Sequence, residues 1–243
     1  MEFHNVEVPL MDNTARTCAA GSSRREWMRT ALGFSALAAF GSAPGCSLFV
    51  MAGKMVQGDP KHTCRFKAMT GIDLTKGKHK IMVVCSTPAD LKQENSSLEY
   101  DLIDGITRRM KRRKVDAVDP KKITKWLDDH GGIDGDLTDI SQDIETNYIA
   151  WVNVHRFQTT EDNAPRLHRG RMLAEVSAFE VQDLGGRKFP SQIFTTEFNS
   201  TYPEHQPISE NGRSALVFQK EYLDRVSEML GEIFFDKSLN DTL

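Results

Sequence analysis

Few side chains here stand at spacings that chemistry demands. Asp128-Asp129-His130 joins two carboxylates to an imidazole, the raw material of a metal site. Its context argues for packing instead. Ile123, Trp126, Leu127 and His130 recur as one helical stripe, and Gly131-Gly132 follow. Asp134, Asp136 and Glu145 occupy the first, third and twelfth positions of a calcium loop, but Asp139 stands where the sharp turn needs glycine. Arg108 to Lys114 is the densest basic run. At a helix C-terminus such cations complement the dipole, so a solvated helix end is expected, with contact to an anionic membrane or polymer as the functional alternative. There is no Gly-rich phosphate loop, Gly-x-Ser-x-Gly elbow, Cys-x-x-Cys pair or His-Glu-x-x-His helix. The sequence therefore assigns no catalytic residue, no metal site and no cofactor, and favours a non-enzymatic role.

The four cysteines divide by position. Cys18 and Cys46 lie in or at the end of a segment that reads as an export signal. Arg24-Arg25 precede an apolar run from Ala31 to Phe40, and small residues lead to Ala43-Pro44-Gly45-Cys46. Ser23 to Arg29 resembles the twin-arginine consensus, and the end of the run resembles a bacterial lipobox, departing from it at Pro44. The resemblance implies lipidation of Cys46 after removal of residues 1–45. An uncleaved membrane helix over Ala31 to Ala52 is the alternative, and Met11 is an alternative start. Cys64 and Cys85 remain. In an oxidising compartment they could pair; equally, Cys85 is a small buried residue within an apolar strand.

The chain carries 31 Lys and Arg against 34 Asp and Glu, for a net charge of −3. Residues 1–45 hold four of each sign, so their removal leaves that balance unchanged. A near-neutral chain is not a dedicated nucleic-acid binder. Residues 46–79 combine lipid attachment with a basic stretch broken by Gly and Pro, and are expected to be a tether whose cations attract anionic headgroups or are merely solvated. A mixed α/β domain is expected over 80–243.

The elements of that domain follow from periodicity. Ile81 to Cys85 is a buried strand. Ser96-Ser97-Leu98-Glu99 forms a capping box for a helix that buries Leu98, Leu102, Ile106 and Met110. Val115 to Val118 is a second strand. Asp119-Pro120 starts a helix with Trp126 in the core and Gly131 at its end. Asp139 to Glu145 is a short helix. The period then becomes two: Tyr148, Ala150, Val152 and Val154 share one face, then Met172, Ala174, Val176 and Ala178, then Phe194, Thr196 and Phe198. Gly185-Gly186 turns the second of these strands into the third. A last helix carries Leu216, Leu223, Val226, Leu230 and Ile233. The order β-α-β-α-α-β-β-β-α predicts a single mixed sheet with helices packed on it.

Topology then nominates a partner-binding region. Helical crossovers make the first three strands parallel, so the loops 158–169 and 199–211 should meet at one end of the sheet. This would gather Arg166, His168, Arg169 and Arg171 beside Tyr202, Glu204 and His205.

From Lys80 to Ile149 the layout resembles a class of bacterial envelope lipoproteins. That class includes the amino-terminal domain of the Tol-system translocation protein and the curli secretion lipoprotein. The likeness rests on the first strand, the helix over 98–113, Val115-Asp116-Ala117-Val118-Asp119-Pro120, the helix ending at Gly131, and the short helix before Tyr148-Ile149-Ala150-Trp151-Val152. It implies a non-catalytic binding and assembly module on the periplasmic side, membrane-anchored through lipid, with a protein or envelope partner and no nucleic acid. An exported enzyme or small-ligand carrier, delivered folded by the twin-arginine route, is the alternative.

Overall fold

The computed structural model describes residues 61–238, which belong to one compact unit running from Asp59. Arg24, Arg25 and Cys46, the 1–45 signal and the start of the tether lie outside the described residues. The elements in chain order are β1 (Lys61–His62), α1 (Arg65–Thr70), β2 (Lys80–Ser86), α2 (Ala89–Glu94), α3 (Leu98–Arg112), β3 (Asp116–Ala117) and α4 (Pro120–His130). There follow α5 (Thr138–Asp143), β4 (Tyr148–Glu161), β5 (Ala164–Leu184), β6 (Arg187–Tyr202), β7 (Ile208–Ser209), α6 (Ala215–Gly231) and β8 (Lys237–Ser238).

The expected mixed sheet is present. Its order is β3-β2-β4-β5-β6, with β7 pairing the start of β5. β2 runs parallel to β3 and β4, as the helical crossovers require, and β4, β5 and β6 form an antiparallel meander. From Ile81 to Cys85 every residue of β2 is buried, because this interior strand is covered on both faces. In β4 and β5 the alternation holds: Tyr148, Ala150, Val152 and Val154, then Met172, Ala174, Val176 and Ala178, all point into the core. Their intervening neighbours Leu173 and Glu175 are exposed. Gly185 and Gly186, both left-handed at φ 67° and 89°, make the β5–β6 turn that most residues would resist.

Helix α3 buries Leu98, Leu102, Ile106 and Met110 as its stripe predicts. Helix α4 starts at an Asp119 cap, whose carboxylate accepts from Lys121 N at 3.0 Å, and ends at left-handed Gly131. Among the described residues no helix is long and apolar enough to cross a membrane.

Several expectations are corrected. Order begins well before Lys80. Phe66 of α1 is fully buried and packs on Phe194, Phe234 and Tyr148, so residues 61–79 belong to the folded unit rather than to a tether. The β1–β8 ladder and the Cys64 N–H donating to the Asp236 carboxylate close the unit around that ring cluster. The capping box does not form. Ser97 caps α3 without a side-chain bond, and Glu99 turns inward to accept from the Thr87 N–H and hydroxyl at 2.9 and 2.8 Å. Trp126 is only half-buried; its indole donates to Asp143 at 2.8 Å and stacks on an exposed His130, so neither residue is core. Cys64 and Cys85 are both free and buried, and burial raises both thiols above their ordinary range.

Toward the end of the last helix, Val226, Leu230 and the following Ile233 are buried as expected, but Leu216 is not. The helix's inward face is Phe218, Tyr222, Val226 and Leu230, spaced by four, whereas Leu216 is 77% exposed.

Candidate functional site

The polar stretch from Gln158 to Arg169 is not a loop. β4 and β5 continue as a hairpin to the tight turn Asp162-Asn163, where Asn163 takes the left-handed conformation at φ 60°. Polar side chains there reflect two solvated strands, which the ladder keeps extended. β6 likewise continues to Tyr202, before a cis peptide to Pro203.

The two segments do meet. Gly170 pairs with Tyr202, and His168 with Ile208. Arg169 donates to the His205 carbonyl at 2.8 Å, and the Arg166 carbonyl accepts from Glu210 N. At the hairpin, Glu161 lies between Arg169 at 3.1 Å and Arg171 at 2.5 Å. The bond from Arg171 holds the Glu161 carboxyl below the usual carboxylate range. Tyr202 donates to Glu221 of α6, which also pairs with Arg213, and that bond raises the phenol above its ordinary value. Of the seven nominated residues only Arg166, Glu204 and His205 are exposed. Arg169, Arg171 and Tyr202 are half-buried and engaged by internal partners, although the buried Arg169 Nε has none among the described residues. His168 is a correction of a different kind: it is 1% exposed and stacks on Phe218 at 5.4 Å, so it cannot touch a partner.

What holds this end rigid is an aromatic ladder. Phe157 stacks on Tyr222 at 5.8 Å, Tyr222 on Phe218 at 6.4 Å, and Phe218 on Tyr202 at 6.2 Å. Arg225 lies 4.7 Å over the Tyr202 ring. Tyr222 donates to the Ser200 carbonyl, and burial pushes its phenol up to about 12. Gly170 is where this ladder presses closest, because a Cβ there would come within 2.4 Å of the Tyr222 ring. The ladder therefore sets α6 on the sheet with its Leu216 and Val217 outward.

Those two residues border a groove between α3 and α6. It encloses about 770 Å³ and is lined by Asp101, Gly105 and Arg108 of α3 and by Leu216, Val217 and Lys220 of α6. Its floor is close-packed: a Cβ on Gly105 would lie 2.5 Å from the Ser227 hydroxyl. One inward arginine ties the two helices together. Arg109 is 5% exposed and donates to Glu228 at 2.6 Å, to the Asp224 carbonyl at 2.7 Å and to the Gly105 carbonyl at 3.0 Å; it also pairs with the Asp224 carboxylate at 2.6 Å. Sequence reasoning missed this groove because it placed Leu216 inward. The four-residue series from Phe218 to Leu230 carried the correct phase.

The remaining nominees stay apart. Asp128 accepts from Tyr100, Asp129 is exposed, and α5 occupies the second half of the calcium-like segment. Among the described residues, no group of three or more His, Cys, Asp or Glu converges as metal ligands would.

No protein-family model and no curated protein matches the sequence. Solved structures similar to the chain include bacterial lipoproteins. One is lipoprotein GNA1162 of Neisseria meningitidis, at 8% identity over 62% of this chain and 97% of that one, with a TM-score of 0.37. Another is a minor lipoprotein of Acinetobacter baumannii (13% identity, 65% and 91%, TM-score 0.25), and the PelC dodecamer of Paraburkholderia phytofirmans is similar as well (9%, 73% and 97%, TM-score 0.37). At such scores the likeness assigns no role to any residue.

Proposed function

We propose that this protein is a lipid-anchored lipoprotein of the bacterial cell envelope, non-catalytic, whose folded unit docks a protein partner. The anchor rests on Arg24-Arg25, the apolar run and Cys46. The docking role rests on one observation. Leu216 and Val217, 77% and 56% exposed, stand together on the rim of the α3–α6 groove. Adjacent aliphatic side chains held outward by a rigid helix, beside a cavity and a polar rim, match the anchor-and-rim anatomy of a protein interface. The occupant is a protein segment presenting an apolar side chain. Arg166, Glu204 and His205, at the sheet end where α6 is fastened, are exposed as well and offer charge and hydrogen-bonding capacity to a partner.

The test places a photo-reactive amino acid at position 216, with a control at Leu184, an exposed leucine beside the β5–β6 turn. A discrete adduct in cells from position 216 alone, lost when Val217 is replaced by Arg, is expected. Identical products from both positions would overturn the docking surface. Separately, Cys46→Ser should release the chain from the membrane fraction and abolish the mass added by lipid; an unchanged variant refutes the anchor.

A further inference from the structure

A second, basic stripe of α3 adjoins that surface: Asp104 and Arg108 line both cavities, while Thr107, Lys111 and Arg112 line only the second. Asp104, Thr107, Arg108, Lys111 and Arg112 recur at intervals of three and four, so they share one side of the helix. The start of α4, Asp119-Pro120-Lys121, makes the facing wall, and between them lies a cavity of about 570 Å³. Arg108, Lys111, Arg112 and Lys121 are all exposed, and none has an ion pair or a side-chain hydrogen bond among the described residues. This sets them apart from the inward Arg109, whose guanidinium is fully engaged.

Thr107 supplies the independent observation. It lines the cavity yet is only 1% exposed, and its Oγ1 has no hydrogen-bond partner among the described residues. A threonine within a helix usually returns its hydroxyl proton to the carbonyl four residues back. A buried hydroxyl left unpaired is costly, and native structures rarely keep one without a use.

The geometry points to a binding site for a phosphate group carried on a polyol, seated between α3 and α4. Guanidinium and ammonium groups offer donors only, and arginine matches phosphate oxygens two at a time. Thr107, which lines the cavity, carries an unspent hydroxyl donor just beneath its surface. Asp104 and the free oxygen of Asp119 are acceptors, placed to take the hydroxyls of the ligand rather than its phosphate. The helix terminus itself contributes no amide: Pro120 has none, Lys121 N donates to the Asp119 side chain and Lys122 N to the Asp119 carbonyl. Four cations against two carboxylates leave the cavity attractive to a dianion. No aromatic side chain lines it, so it offers no platform for a nucleobase. The inference does not rest on the docking surface above, whose exposed anchors are on α6.

Glycerol phosphate is the probe, titrated calorimetrically into the purified full chain, with inorganic phosphate in parallel. Saturable binding is expected. It should weaken about tenfold in Lys111→Gln/Arg112→Gln, a loss of ~1.4 kcal/mol, and should weaken with added salt. Thr107→Val separates ligand contact from folding. It removes an unpaired buried hydroxyl, so its melting temperature should hold or rise while its affinity falls. Vesicles of phosphatidylcholine with and without phosphatidylglycerol distinguish the sources of the phosphate. A phosphatidylglycerol preference lost in the double variant identifies a lipid headgroup; glycerol phosphate binding with no such preference identifies a free polyol phosphate. Absence of saturable glycerol phosphate binding, or equal affinity in wild type and all variants, overturns the site.

Discussion

The Arg109 network predicts an asymmetry in how its parts can be removed. Arg109 is 5% exposed, whereas its carboxylate partners on Asp224 and Glu228 are 68% and 41% exposed. Replacing Arg109 by Met keeps most of the stem packing and lets both carboxylates return to water. What is lost is net hydrogen bonding, including the bonds to the Gly105 and Asp224 carbonyls, about 1–2 kcal/mol. Replacing Asp224 and Glu228 by Ala does the reverse. A guanidinium that cannot deprotonate stays buried with only two carbonyl partners. Removing the partners of a buried charge costs about 3–5 kcal/mol, and the surviving carbonyl bonds argue for the lower end. The double acidic variant should therefore be less stable than Arg109→Met by at least about 1 kcal/mol, although it alters more exposed side chains. Urea unfolding, read by far-ultraviolet circular dichroism at neutral pH with both slopes compared, measures the difference. Equal stabilities, or a less stable Arg109→Met, would refute the claim that the burial of the guanidinium governs this contact.

Close approach makes Gly170→Ala and Gly105→Ala unequal. The new methyl at 170 meets a buried ring at 2.4 Å and should cost about 1–3 kcal/mol or more, while that at 105 meets a hydroxyl and should be rescued by Ser227→Gly in a thermal melt. In helix α4, Ile123→Ala should cost about 2–5 kcal/mol and Trp126→Ala less, because Ile123 is fully buried and Trp126 is not; a larger loss for Trp126 would show that the half-exposed ring is misplaced. Bonds from Thr75, and then Lys67, hold the Asp73 carboxyl below its usual range, so their stabilisation is complete above the unfolded value of about 3.9 and is lost as pH falls through the folded one. The stability gap between wild type and Asp73→Asn should accordingly be full at neutral pH and shrink below about pH 4; a gap that widens in acid contradicts the assignment.

What the sequence by itself determined is what short-range periodicity and stereochemistry can carry. Ile81 to Cys85, the α3 stripe from Leu98 to Met110, the alternation on β4 and β5, the Asp119-Pro120 start and Gly131 end of α4, and the Gly185-Gly186 turn all depend on residues within a few positions of one another. From these the mixed sheet follows, because helical crossovers leave parallel strands little choice of direction. The meeting of segments 166–169 and 202–205 was legible for the same reason. Only the tertiary structure decided which polar residues remain free. His168, Arg169, Arg171 and Tyr202 look like loop chemistry in the chain, yet Phe218 covers the first ring and His205, Glu161 and Glu221 engage the others, partners that are distant in sequence or on another element. Phe66 joins the core because strand β6 and the segment after α6 bring Phe194 and Phe234 to it, a coincidence of positions that no local pattern encodes. The phase of α6 was decided in the same way: Leu216 and Phe218 are both apolar and two residues apart, and the stack of Tyr202, Tyr222 and His168 selects Phe218 for the interior and leaves Leu216 in water.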